Sequence, residues 1–169
     1  ELSESQQSLL SSFTRNMKVI VLSGVWCGDC SSQGPMLAAI ARGSDLIDLH
    51  WIDRDEASEL SNHLSINQGH RVPTVIFMAE DFETVSWFGD RTLSRYRSMA
   101  RKGLAPELAE YLAPPPADPV REVLSEVLEE FEKTVPKIAE KYSDWDGSPY
   151  KDSHQPGLFE ATMLSLIHI

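Results

Sequence analysis

The chain has 169 residues, 41% hydrophobic and 24% charged, enough to bury a core without disulfide staples. Its 15 basic and 26 acidic residues leave a formal charge of −11, which repels phosphate backbones and excludes general nucleic-acid binding. The two cysteines, Cys27 and Cys30, are too few for a secreted disulfide scaffold, and no apolar run reaches the ~18 residues a membrane-spanning helix needs.

Leu9, Leu10 and Phe13 give residues 3–15 a helical spacing. The β-branched run from Lys18 to Ser23, closed by Gly24, predicts a buried strand. Val25-Trp26-Cys27-Gly28-Asp29-Cys30 follows, then a helical pattern through Met36, Leu37, Ile40 and Ala41, with Gly43 as its expected C′ residue. Leu46 to Ile52 predicts a second strand. Residues 55–65 predict a short polar helix with Leu60 and Leu64 on one face. Val72 to Met78 and Val85 to Phe88 predict a third and a fourth strand, joined as a hairpin through Glu80-Asp81. Residues 93–112 are expected to be helical, with a break near Gly103 and Pro106.

Pro114-Pro115-Pro116 makes a stiff spacer. Beyond it Val120, Leu124, Val127, Phe131, Val135, Ile138 and Tyr142 mark an amphipathic helix that Pro136 would kink or split. Its apolar face needs a cover: the main domain, a second copy of the chain, or a further C-terminal region. From Ser143 the chain is loop-like, and Leu164–Ile169 looks like a translated cloning or sequencing-adapter scar. The alternation of elements predicts an α/β fold whose first three strands are parallel, with right-handed crossovers, and whose hairpin adds an antiparallel edge.

The chemistry concentrates where the first strand meets the following helix. A helix N-terminus stabilises a thiolate through its dipole and free N–H groups, and a second thiol one turn on can close a disulfide. Cys27, at the exposed helix tip, is the expected nucleophile, and the inward-facing Cys30 the resolving thiol. Zinc is not expected: His50, His63, His70, His154 and His168 form no H-x3–5-H pair, and there is no second C-x-x-C. Asp53, Asp55 and Glu56 lack the glycine and later glutamate of a calcium loop, so a solvated helix start is the expectation there. Arg91, Arg95, Arg97, Arg101 and Lys102 fall within twelve positions; a solvated helix face is favoured over a docking patch for an acidic partner.

Over residues 17–112 the chain resembles the thioredoxin-like proteins, and more narrowly a bacterial branch with WCGDC in place of WCGPC. Four matches carry the resemblance: Trp26-Cys27-Gly28-Asp29-Cys30, Pro35 five residues on, Val72-Pro73-Thr74 opening the third strand, and Ile52-Asp53-Arg54-Asp55-Glu56 ending the second. It implies a three-layer α/β/α fold with a mixed four-stranded sheet. Residues 1–113 would form that domain, 114–117 a linker, 118–142 a C-terminal helical extension and 143–169 an irregular tail. It also implies that Val72-Pro73 is cis, that Val72 offers its backbone to an extended substrate, that Gly28 and Asp29 shape the turn, and that Trp26 flanks the thiols. Where thioredoxins bury an aspartate six residues before the first cysteine this chain has Val21, and Leu49 replaces its lysine partner. Losing both charges together avoids burying either alone. Proton transfer must then use water or another group, of which Asp29 is nearest in sequence. Its charge opposes thiolate formation, and that of Arg71 favours it.

The expected function is thiol–disulfide oxidoreduction: a Cys27–Cys30 couple, with no other cofactor, reduces protein disulfides. Its partners would be protein or small-molecule disulfides and an upstream reductase as electron donor. The alternative is a redox-responsive adaptor that binds a partner with little turnover. The expected location is cytoplasmic; because the chain starts at Glu1 without methionine, export and disulfide formation in the periplasm stay open.

Overall fold

The computed structural model describes residues 1–109 and 112–141. Tyr142, the expected irregular tail and the apolar segment at 164–169 lie outside the described residues. In chain order the elements are α1 (Glu4–Ser11), β1 (Met17–Ser23), α2 (Gly28–Arg42), β2 (Ile47–Asp53), α3 (Ser58–His63), β3 (Thr74–Met78), β4 (Thr84–Gly89), α4 (Leu93–Gly103), α5 (Pro106–Ala109) and α6 (Pro119–Lys141). The four strands form one sheet in the order β2-β1-β3-β4.

Alternation along the central strands builds two cores. Met17, Val19 and Val21 of β1, with Val75 and Phe77 of β3, face α1, α2 and α6. Ile20 and Leu22, with Ile76 and Met78, face the other way, toward Leu60 and Leu64 around α3 and toward both cysteines. The sheet is thus the middle of three layers. Val21 is fully buried, so a valine fills the place where an isolated carboxylate would be costly.

The sheet departs from the expected three parallel strands. Only β1 and β2 are parallel, while β3 runs antiparallel to β1 and to β4. Residues 54–73, with the short α3, lead back to the end where β1 and β2 finish, and β3 starts there, with Thr74 opposite Leu22. That reversal brings Val72 to Cys27.

Several local readings change in the same way. Gly43 caps α2 in a right-handed conformation, φ −79°, not the left-handed one of a C′ glycine. What makes glycine fit there is packing: a Cβ would lie 2.5 Å from Leu10 Cδ1 and 3.1 Å from the Ile40 carbonyl oxygen, so Leu10 would have to move. α3 begins only at Ser58, so Asp53–Glu56 is a turn, held by the Asp55 N–H donating to Asp53 Oδ1 at 2.8 Å, and not a helix start. α6 runs on through Pro136, neither broken nor split in two. Its apolar face is covered by the sheet and α2: Val127, Phe131 and Ile138 are fully buried, and Phe131 meets Phe77 edge-to-face at 5.0 Å. Val120, one of the seven predicted face positions, stays exposed. Lys137 donates to Ser86 Oγ at 3.0 Å and Lys141 pairs with Asp81 at 2.7 Å, fixing the end of α6 to the β3–β4 hairpin.

Candidate active site

Cys27 is the N-cap of α2, and Cys27 and Cys30 are joined as a disulfide with Cα atoms 5.2 Å apart. The backbone N–H of Cys30 donates to the Cys27 sulfur at 3.0 Å, one of the free donors that a helix start supplies. The Cys27 sulfur also lies 3.3 Å from the Val72 carbonyl oxygen. The helix tip is less open than the sequence argument assumes. In the disulfide form Cys27 is 8% and Cys30 5% exposed. Val25, by contrast, is 94% exposed beside the motif, a surface position that no sequence pattern singled out.

Trp26 is pinned from two sides. A Cβ on Gly24 would lie 2.7 Å from the indole, so the ring lies tight over the β1–α2 turn. Arg54 stacks over it, 4.3 Å from a ring centroid, and the indole Nε1 donates to Asp55 Oδ2 at 3.2 Å. Arg54 donates in turn to Asp55 and to the His70 carbonyl. The hydrogen bonds from Arg54, with that of the indole, hold the Asp55 carboxyl below its ordinary pKa. Two residues of the Asp53–Glu56 segment thus serve as a bracket for the exposed tryptophan.

The loop before β3 forms the facing wall. The Val72–Pro73 peptide bond is cis, and the buried Thr74 hydroxyl donates to the Arg71 carbonyl at 2.7 Å. Arg71 adjoins Val72 in sequence, yet its guanidinium pairs with Asp90, 3.5 Å away.

The largest departure concerns Asp29. Its carboxylate accepts from Arg91 Nε at 2.7 Å and from Arg95 Nε at 3.0 Å, and its side chain is 13% exposed. Both hydrogen-bonding oxygens are thus committed to arginines, not aimed at Cys30 for proton transfer. Arg91 also donates to Asp90 at 2.5 Å. Burial works against the Arg91 charge, but Asp90 and Asp29 outweigh it and raise its pKa. Asp90 is 2% exposed at its side chain; it accepts from Tyr96 as well, and its carbonyl accepts from Gln33 of α2 at 3.0 Å. Arg91 is therefore largely withdrawn from solvent, while Arg95 stays half-exposed on α4 as expected for a solvated face, with Asp29 as its partner. Sequence reasoning named the two arginines without their role and missed Asp90, Gln33 and Tyr96, because the contacts that tie this group to α2 span 57 to 66 residues. The usable signal was topological, since the β3–β4 hairpin must return the chain to the cysteine end of the sheet. Beside Gly28 and Asp29 a groove of about 690 Å³ opens between α2, α4 and Pro114–Pro116.

Tyr96 offers a pH test of this network. The hydrogen bond to Asp90, then burial, raise its phenol pKa. A raised folded-state pKa means that the bond stabilises the fold fully below the ordinary tyrosine value, about 10, and is lost as pH rises through the folded value. A spectrophotometric titration, with Tyr96→Phe to assign the signal, should find Tyr96 ionising above the ordinary tyrosine value, and Asp90→Asn should bring it down; an unshifted Tyr96 would refute the contact.

A mixed sheet between helical layers, with a disulfide capping one helix against an X-Pro loop, defines a thioredoxin-like protein. A model of the thioredoxin family matches residues 1–100, and the chain belongs to that family. No curated protein matches the sequence. Among solved structures, a protein of unknown function from Pseudomonas aeruginosa is 20% identical, with a TM-score of 0.58 over 79% of this chain and 76% of that one. Mitochondrial thioredoxin 3 from Saccharomyces cerevisiae is 17% identical, with a TM-score of 0.38 over 51% of this chain and 74% of that one. The fold and the Cys27–Cys30 pair support a thiol-redox function.

Proposed function

We propose that the chain is a thiol–disulfide oxidoreductase that reduces protein disulfides. The observation that carries this reading is the position of Cys27: its sulfur caps α2 and accepts the Cys30 N–H at 3.0 Å, where negative charge on sulfur is favoured. In the dithiol form, the Cys27 thiolate attacks one sulfur of a substrate disulfide. An S–S bond forms between Cys27 and the substrate, the substrate's own S–S bond breaks, and the first thiolate leaves and takes a proton from solvent. The Cys30 thiolate then attacks the Cys27 sulfur, closing the protein disulfide and releasing the second substrate thiolate. Two electrons pass from the protein to the substrate, and a dithiol reductant must return them. Val25 and Trp26 offer an exposed apolar edge beside the sulfurs, and the Val72 backbone borders them on the other side. A reducing role of this kind belongs in the cytoplasm, with an upstream reductase as electron donor.

The test is insulin precipitation driven by dithiothreitol. The protein should shorten the lag at catalytic concentrations. If turbidity develops no faster than with dithiothreitol alone, the reductase reading fails.

A further inference from the structure

Asp29 stands between the two cysteines, in the first turn of the helix that must hold a thiolate. Alone, its charge would work against that thiolate. The structure does not leave it alone: Arg91 and Arg95 each place a guanidinium nitrogen within 3.0 Å of it. We propose that Asp29, Arg91 and Arg95 form a charge clamp that sets the redox poise of the Cys27–Cys30 pair, in which the arginines cancel the acid and leave the helix tip with a surplus positive charge. The inference rests on the oxidoreductase reading and adds the control of the same site.

The charges can be counted. One carboxylate and two guanidiniums sum to +1 beside the motif. Among the other charged groups, Arg54 pairs with Asp55 over Trp26 and Arg71 faces Asp90 behind the X-Pro loop, while Arg97 and Arg101 of α4 and Glu122 of α6 line the groove beside Asp29. The remaining titratable neighbours are Tyr96, bonded to Asp90, and His70, whose Nδ1 lies 2.8 Å from the Ser61 carbonyl. Arg91 bridges two acids, Asp29 and Asp90, whereas among the described residues Arg95 pairs with Asp29. Arg95 is also 48% exposed at its side chain, so it can be changed without uncovering the buried Asp90. An acid near a helix start is favourable to the helix in any case, and a purely structural role would end there. A charge clamp makes a further demand, because stabilising the thiolate stabilises the reduced form and makes the couple more oxidising.

The experiment measures the reduction potential of the full-length protein by equilibration in glutathione buffers, for wild type, Asp29→Asn, Arg95→Gln and the double variant. In Asp29→Asn the local sum rises to +2, and the equilibrium constant should shift about tenfold toward the dithiol, or ~30 mV for this two-electron couple. In Arg95→Gln the sum falls to 0, and the shift should be about threefold in the opposite sense, smaller because that arginine is half-exposed and screened. In the double variant the sum returns to +1, and the constant should lie within about twofold of wild type. The midpoint of the pH profile for Cys27 alkylation should move down in the first variant, up in the second, and back in the third. Shifts of the two single variants in the same direction, or a double variant as far displaced as either single one, would overturn the clamp while leaving the oxidoreductase reading intact. A wild-type couple that does not exchange with glutathione at all would sink both. Comparable thermal unfolding midpoints across the set exclude misfolding as the source of the shifts.

Discussion

Cys27→Ser is expected to abolish turnover, with insulin reduction falling by more than about a thousandfold, because a serine hydroxyl cannot form the mixed disulfide. The variant should remain folded. Cys27 is 8% exposed, and serine is the smaller isostere, able to accept the same Cys30 N–H as an N-cap. Cys30→Ser should behave differently. Its nucleophile survives, so the first attack proceeds and the second cannot. Mixed disulfides with substrate should then accumulate on Cys27, visible as reductant-sensitive bands of higher mass. A protein that acts as an adaptor would show one such partner or none, and its wild type would not turn over insulin. Cys27→Ser with residual activity within tenfold of wild type would mean that the chemistry lies elsewhere.

The sequence was most informative where short-range chemistry decides structure. The strand–helix junction at Cys27, the β-branched strand at residues 17–23 and the amphipathic period of 119–141 were all legible, because each depends on neighbours a turn or a pleat away. It was least informative about direction and partnership. Whether β3 runs parallel or antiparallel to β1 depends on which end of the sheet residues 54–73 lead to, which no local pattern encodes, and α3 has six residues where 55–65 were expected. Gly43 carried a correct helix end for the wrong reason. Its small size serves Leu10, which approaches from α1 across the fold, and no backbone rule contains that contact. At the site, Trp26, Cys27, Cys30 and the Val72-Pro73 segment were identified because they lie in compact motifs. The charge balance of Asp29 could not be read. Its two arginines are 62 and 66 residues distant, and from the sequence a run of basic residues looks the same whether it faces solvent or a buried acid.

That same long-range dependence makes α6 the most consequential element outside the motif. The resemblance ends at residue 112 and the matched family model at residue 100, so neither covers the helix, whose apolar face the sequence leaves in need of a cover. The main domain provides it. Phe131 is fully buried against Phe77 at the centre of the larger core, and Leu124, Val127, Leu128 and Ile138 close the same side of the sheet. α4 cannot substitute, since none of its residues is buried and its first turn leans on α6, where Ser94 donates to Glu126 at 2.8 Å. Phe131→Ala should cost about 3–5 kcal/mol, a large part of the ~5–15 kcal/mol that stabilises a typical domain. For a chain of this size that lowers the thermal midpoint by roughly 6–20 °C. Removing α6 altogether should be worse. A chain ending at residue 113 would leave Phe77, Val75 and Leu37 facing water on one side of the sheet, and it should lack cooperative unfolding and near-ultraviolet dichroism. If residues 1–113 unfold cooperatively with a native-like spectrum, α6 is an appendage. If they do not, the active site depends on a helix that begins beyond the Pro-rich spacer, because β1, β3 and α2, which position Cys27 and Val72, share their buried face with it.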